Sequence, residues 1–198
     1  AQMAGAVNAI KFEGDKVYAE NFDGVGLVRD VVHNLAFPMQ GKRVLILGAG
    51  GATRGALLPI LAQGPAEVVI VNRTVAKAEE LAVLAHHHQS GKLPVRGVGY
   101  ADVGVQSFDV VFNATSASLT AELPPLSVSA FAPGCLAYEL AYGKGLTPFL
   151  KLALQADARR LADGVGMLAE QAAEAFQWWR GVRPNTAAVI QKLTVPLV

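Results

Sequence analysis

From Lys42 onward the apolar positions fall into short, nearly unbroken aliphatic runs separated by longer Ala- and Leu-rich stretches. Arg43–Leu47 (RVLIL), Glu67–Val71 (EVVIV), Val95–Tyr100 (VRGVGY), Phe108–Phe112 (FDVVF) and Cys135–Leu140 (CLAYEL) read as strands, the third with the weakest pattern. Ala52–Gln63 and Val75–His88 read as helices between them. Strands that are apolar on both faces and alternate with helices predict a parallel sheet covered on both sides and wound by right-handed crossovers. The expected fold class is therefore a doubly wound, Rossmann-like α/β domain. Ahead of it, the alternation in AVNAIKFEGDKVYAE (Ala6–Glu20), with Glu13-Gly14-Asp15 at its centre, predicts a hairpin that has no sheet of its own to join. Behind it, Gly166–Trp179 and Thr186–Leu193 read as helices separated by a break at Gly181–Pro184.

Composition narrows the function classes. With 198 residues and 52% hydrophobic content, the chain builds one good core and not two full domains. A net charge of +1 and a charged fraction of 17% give neither the basic footprint of a nucleic-acid binder nor a polybasic membrane anchor. Cys135 is the single cysteine, which excludes an intrachain disulfide and a cysteine-based zinc site and fits a reducing cytoplasm. There is no signal-peptide pattern and no apolar run approaching about 18 residues, so a soluble, cytoplasmic protein is expected. The mean hydropathy of +0.34 is high, as expected for a sheet buried on both faces or for apolar surface that awaits a partner. His86, His87 and His88 follow one another on a helix and point in different directions, so no metal site is expected there. Met167, Trp178 and Trp179 read as core or interface.

One turn carries chemistry. GAGGATRG places Gly48, Gly50 and Gly51 after the first sheet strand and before a helix, with Ala49 and Ala52 between and behind them. Either this is merely a tight turn, or its bare N–H groups and the helix dipole receive a pyrophosphate. Thr53 stands where the dinucleotide-binding pattern usually has its third glycine. The second strand ends in Asn72-Arg73-Thr74, with Lys77 one turn further on. At that strand end an acid reads the ribose hydroxyl of NAD, whereas an arginine accommodates the 2′-phosphate of NADP. Arg73 in place of the acid predicts NADP. The fourth strand runs into Asn113–Ser118 (NATSAS), small hydroxyl-bearing residues at the ligand-binding edge of an open sheet.

Taken in order, GAVNAI, NFDGVGLVRD, LGAGGATRGALLP, NRT, FDVVFNATSASL, KGLTPFL and ADGVGMLAEQAAEAF resemble bacterial shikimate dehydrogenase over essentially the whole chain. The resemblance lacks that family's first eighty or so residues, so the chain is expected to be a truncated form. It implies an NADP-dependent oxidoreductase that interconverts 3-dehydroshikimate and shikimate on the route to chorismate and the aromatic amino acids. It also implies a remnant of a substrate-binding domain over 1–22, an NADP-binding domain over 23–164, and C-terminal helices over 165–198 that associate with the substrate side. By the same resemblance, Asn8, Asp23, Tyr142 and Gln171 contact the substrate, and Asp23 is the acidic member of a catalytic Lys-Asp pair. No lysine of this chain is assigned as its partner. Gly48–Ala52 and Asn72–Lys77 hold the NADP, with Leu140 and Gly164 near the nicotinamide.

From the residues alone, Asp23 also reads as a turn acid or helix N-cap. Phe22 stands where the family usually has Thr, and Glu139-Leu140 where it has Asp-Met. Two alternatives stay open: a catalytically silent NADP-binding regulatory module, and a quinate or shikimate dehydrogenase that uses NAD. The expected partner is a small-molecule substrate, with no nucleic acid or membrane. Homodimer formation or self-association through uncovered apolar surface is also expected.

Overall fold

The computed structural model describes residues 4–89, 93–117 and 122–197. Ala1–Met3, Ser118 of the NATSAS turn and Val198 lie outside the described residues. The chain opens with the expected hairpin, β1 (Ala9–Glu13) and β2 (Lys16–Glu20), paired antiparallel with Glu13 opposite Lys16. Gly14 makes the tight return possible at φ +58°, a conformation that costs a side-chain-bearing residue more. The main sheet contains β3 (Arg43–Leu47), β4 (Glu67–Val71), β5 (Val95–Val98), β6 (Phe108–Asn113), β7 (Phe131–Glu139) and β8 (Arg160–Asp163). All its neighbours pair in parallel, in the order β5-β4-β3-β6-β7-β8. The chain winds outward in both directions from β3 and β6, which opens a crevice beyond their carboxyl ends.

The aliphatic runs are buried on both faces because successive side chains alternate between two cores. On one face Val44, Ile46, Val68, Ile70, Val110 and Phe112 pack against α1 (Asp23–Arg29), α2 (Gly51–Leu61) and α3 (Val75–Gln89) through Leu27, Leu57, Ile60 and Leu81. On the other, Leu45, Leu47, Val69, Val71 and Val111 meet Phe149, Leu150 and Ala153 of α4 (Pro148–Gln155). Two C-terminal helices follow, α5 (Val165–Arg180) and α6 (Ala187–Leu193). The left-handed Gly181 ends α5 at the predicted break.

The fold departs from the sequence reading at several places. The strand expected over Val95–Tyr100 stops at Val98, because Tyr100–Asp102 form a 3₁₀ turn in which Asp102 Oδ2 accepts from Gly99 N at 3.2 Å. The fifth expected strand starts earlier, at Phe131. A sixth strand, β8, and helix α4 have no counterpart in that reading. Of α1 that reading held only the possibility of a helix capped by Asp23, and of the π-helical turn Asp30–Asn34 that extends it, nothing.

Helix α1 is wedged between α2 and α5. A Cβ on Gly24 would lie 2.3 Å from Gly55 O, and one on Gly26 would lie 2.7 Å from Gln171 N, so the backbones touch directly. Pro59 of α2 has no N–H to offer Gly55 O, and α1 crosses at that carbonyl. Below the wedge, buried Asp30 accepts from Tyr138 Oη at 2.7 Å and from Asn34 Nδ2 at 2.9 Å. Burial holds the Asp30 carboxyl above its ordinary range despite these bonds. Burial, together with the facing Asp30, pushes the Tyr138 phenol well up. Asn34 Nδ2 also reaches Glu170 Oε1 at 3.1 Å, and Glu170 gathers Arg29, Arg183 and Thr186 around it. These bonds tie β7, the π-turn, α5 and the start of α6 into one polar chain. The hairpin is held to the far end of α5: Trp179 Nε1 donates to Ile10 O at 2.9 Å, and Trp178 receives the edge of Phe22 and the Lys11 ammonium, each at 5.8 Å.

Candidate active site

The crevice at the β3/β6 reversal is a cleft of about 510 Å³. Its floor is the glycine turn. Gly48 adopts φ +100°, and a Cβ there would lie 3.0 Å from Ala114 O, so the turn rests directly on the backbone that leaves β6. Thr53 is fully buried and donates its hydroxyl to Gly48 O at 2.7 Å. The residue at the third glycine position thus closes the turn from within instead of crowding it. Gly50 is the N-cap of α2 and supplies no side chain, which leaves first-turn N–H groups facing the cleft.

Ala49 N donates to Asn72 Oδ1 at 3.3 Å, and Asn72 Nδ2 donates to Thr74 O at 2.9 Å, which stitches the ends of β3 and β4 together. Gly48, Ala49, Gly50, Asn72, Arg73, Thr74 and Lys77 all line the cleft. Gly51 and Ala52 form the first turn of α2 behind that lining. The sequence reading missed Tyr100 and the segment Glu122–Pro125, which also line the cleft. The signal for Tyr100 was its place just beyond a strand's carboxyl end. Burial pushes the Tyr100 phenol up, against the pull of the Arg73 charge.

A second polar group lies at the start of α1. Asn8 Nδ2 donates to Asp23 Oδ1 at 2.8 Å and to Gln171 Oε1 at 2.7 Å, while Asn8 Oδ1 accepts from Phe22 N at 3.0 Å. Asn21 Nδ2 donates to Asp23 Oδ2 at 3.3 Å. Three residues that span 163 positions of sequence, Asn8, Asp23 and Gln171, therefore share one cluster. Asp23 is not the N-cap of α1; Phe22 occupies that position and makes no side-chain cap, while Asp23 N donates to Asn21 Oδ1 at 3.1 Å and the Asp23 carboxylate accepts from Asn8 and Asn21. Tyr142 is exposed and has no hydrogen bond to this cluster. Among the described residues no lysine or arginine forms an ion pair with Asp23. Phe22, in the family's Thr position, turns its ring onto Trp178.

A third group joins the sheet edge to the cleft. Glu139 is fully buried and accepts from Asn113 Nδ2 at 2.9 Å, Thr147 Oγ1 at 3.2 Å and Ala141 N at 3.3 Å. Leu140 N donates to Asn113 O at 3.0 Å, and Gly164 N donates to Ala141 O at 3.3 Å. A Cβ on Gly164 would lie 2.1 Å from Leu140 O, so Leu140 and Gly164 are adjacent, and neither is among the residues that line the cleft.

The family model described as shikimate / quinate 5-dehydrogenase matches residues 30–121, and that of the shikimate 5′-dehydrogenase C-terminal domain matches 164–194. A shikimate dehydrogenase (NADP(+)) of Dechloromonas aromatica is 52% identical over 198 residues, covering 100% of this chain and 71% of its own length. The chain belongs to the shikimate dehydrogenase family. The crystal structure of an Ael1 enzyme from Pseudomonas putida superposes with a TM-score of 0.90 at 58% identity, over 100% of this chain and 71% of that one. A shikimate dehydrogenase solved in complex with NADP+ gives 0.82 at 31% identity, over 98% of this chain and 69% of that one. The parallel sheet and flanking helices of this chain are therefore shared with these two solved structures.

Proposed function

We propose that this chain catalyses the reversible, NADP(H)-dependent reduction of 3-dehydroshikimate to shikimate, an oxidoreductase step of aromatic amino-acid biosynthesis. The observation that carries the reading is Arg73, which lines the same cleft as the glycine turn. The residues fit a 2′-phosphorylated dinucleotide: bare N–H groups at the α2 N-terminus suit a diphosphate, and Arg73 and Lys77 suit a further phosphoryl group. No acid stands at the end of β4 to select a ribose hydroxyl. Leu140 and Gly164 border the nicotinamide end. When bound, NADPH supplies the hydride to the carbonyl carbon.

The chain's own residues position the other reactant. Asn8 and Gln171 hold substrate hydroxyls, with Tyr142 closing on the substrate from the β7 side. Asp23, fixed by Asn8 and Asn21, is placed to orient a lysine ammonium, a part to which no lysine of this chain is assigned, that would stabilise and protonate the developing alkoxide. In this reading the hairpin (1–22) and the C-terminal helices (165–198) serve the substrate side, and residues 23–164 serve the cofactor. Exposed apolar positions on the hairpin give a surface for self-association. The buried lone Cys135, whose thiol burial pushes up to about 12, suits a reducing cytoplasm. No described helix is long and apolar enough to cross a membrane.

The family membership does not favour a silent regulatory module. Calorimetric titration with NADP+ and NAD+, followed by an assay of shikimate-dependent NADP+ reduction, tests the proposal. Tighter binding of NADP+ with shikimate oxidation is expected; binding of neither dinucleotide, or a preference for NAD+, refutes it.

A further inference from the structure

Glu139 sits at the end of β7, and its carboxylate is a hub for three segments, of which the one that follows β6 lines the dinucleotide cleft. A carboxylate accepts hydrogen bonds and does not donate them, so Glu139 dictates which way its neighbours face. The Asn113 side chain must present Nδ2 to Glu139 Oε2, at 2.9 Å, which leaves Asn113 Oδ1 pointing the other way. That oxygen accepts from Thr115 N at 3.2 Å and from Thr115 Oγ1 at 2.7 Å. The Thr115 hydroxyl, having spent its proton on Asn113, can only accept from its next neighbour, and it receives Ala117 N at 3.3 Å. Thr115 and Ala117 line the cleft, and the Thr115 methyl would lie 3.2 Å from a Cβ on Gly48, so the same loop backs the glycine turn. Glu139 Oε1 meanwhile holds Ala141 N at 3.3 Å, beside the contact between Leu140 and Gly164.

We propose that Glu139 is a positioning residue for the cofactor: through Asn113 and Thr115 it fixes the polarity and shape of the cleft wall that follows β6. The inference rests on the reading of this cleft as the NADP site. It goes further by assigning an orienting role to a residue with no surface of its own. A glutamine keeps the size of Glu139 but puts an NH₂ group where either the Asn113 amide or the Ala141 N–H already donates. One donor therefore always faces another, and the relay to Thr115 loses its fixed direction.

The test is NADPH titration of the wild type, Glu139→Gln and a stability control, Leu152→Ala, which opens a hole in the core on α4 away from the cleft. Amide spectra are recorded on each protein. Glu139→Gln is expected to bind NADPH about tenfold more weakly, with displaced Thr115, Ala117 and Ala141 amide signals. Leu152→Ala is expected to melt lower and bind as the wild type does. Thr115→Val, at the far end of the relay, is expected to weaken NADPH binding and keeps the test open if Glu139→Gln does not fold. Wild-type affinity in folded Glu139→Gln or in Thr115→Val, or an equal loss in Leu152→Ala, overturns the proposal alone. A wild type that binds no NADPH overturns the reading of the cleft, and this proposal with it.

Discussion

Replacing Gly26 by alanine probes the contact that sets Asp23 against Gln171. The added Cβ would lie 2.7 Å from Gln171 N, 2.8 Å from Gln171 Cβ and 2.8 Å from Met167 O. Two of these three neighbours are backbone atoms inside α5 and cannot rotate aside, so the helices must separate. Overpacking of this kind costs about 1–3 kcal/mol. Three contacts below 3 Å put this site in the upper part of that range, about 2–3 kcal/mol; removing a glycine from a helix returns about 0.5–1 kcal/mol, which leaves a net loss of about 1–2.5 kcal/mol. For a chain of this size each kcal/mol lowers the melting temperature by about 2–4 °C, so a fall of roughly 2–10 °C is expected in calorimetry. The same alanine at Gly51, in α2 with nothing within 4 Å, meets no clash and should raise the melting temperature by about 1–4 °C. Because α5 carries Gln171, Gly26→Ala should also weaken shikimate binding. A Gly26→Ala protein that melts at or above the wild-type temperature refutes the idea that α1 and α5 meet backbone to backbone.

Arg73→Ala should lower NADPH affinity roughly ten- to a hundred-fold by removing charge-assisted bonds to the extra phosphate, while leaving NADH affinity unchanged; paired titrations check this, and equal losses for both would refute it. Burial raises the Glu170 carboxyl, but hydrogen bonds from Thr186, Asn34 and Arg29 and the Arg183 charge outweigh it and hold the group below its ordinary value of 4.5. A depressed carboxylate stabilises the fold above 4.5, and that contribution is lost as pH falls through the folded value. Glu170→Gln weakens charge-assisted hydrogen bonds and should therefore be about 1.5–3 kcal/mol less stable than wild type at neutral pH, with the gap closing below pH 4.5 in denaturant titrations. Ile10, Phe12, Val17 and Ala19 share one hairpin face, and Phe12 is 73% and Val17 63% exposed. Phe12→Ser with Val17→Ser should reduce hydrophobic-dye binding and sedimentation as higher species; unchanged values would place the adhesive surface elsewhere.

The strands β3 and β4 were legible to the residue because Arg43–Leu47 and Glu67–Val71 are buried on both faces and carry no competing pattern. Helix α1 was not, since Gly24 and Gly26 lower helix propensity for a reason that exists only in three dimensions: the backbones of α2 and α5 pass there. Helix α4 has a local start signal, Thr147 capping Leu150 N with Pro148 behind it, but at 8 residues it is too short for a helical period to stand out. Strand β8, RLAD, is brief and mixed and is a strand only because β7 lies beside it. At the site, the glycine turn and Arg73 were readable because they follow strand ends. Asn8 came only through the family resemblance, as a substrate contact; that it joins Asp23 to Gln171 was not readable, because its bonds bridge the first and last parts of the chain. Glu139 read as a departure from a family pattern; that its carboxylate orients Asn113 could be seen only from the packed sheet edge.

Both tryptophans of the chain, Trp178 and Trp179, stand where α5 meets the hairpin, and the main sheet contains none. The molecule thus carries an optical gauge of a single joint. Hairpin detachment that strips Phe22 from one indole and the Ile10 carbonyl from the other would shift the emission to the red while the far-ultraviolet signal of the sheet and its helices held steady.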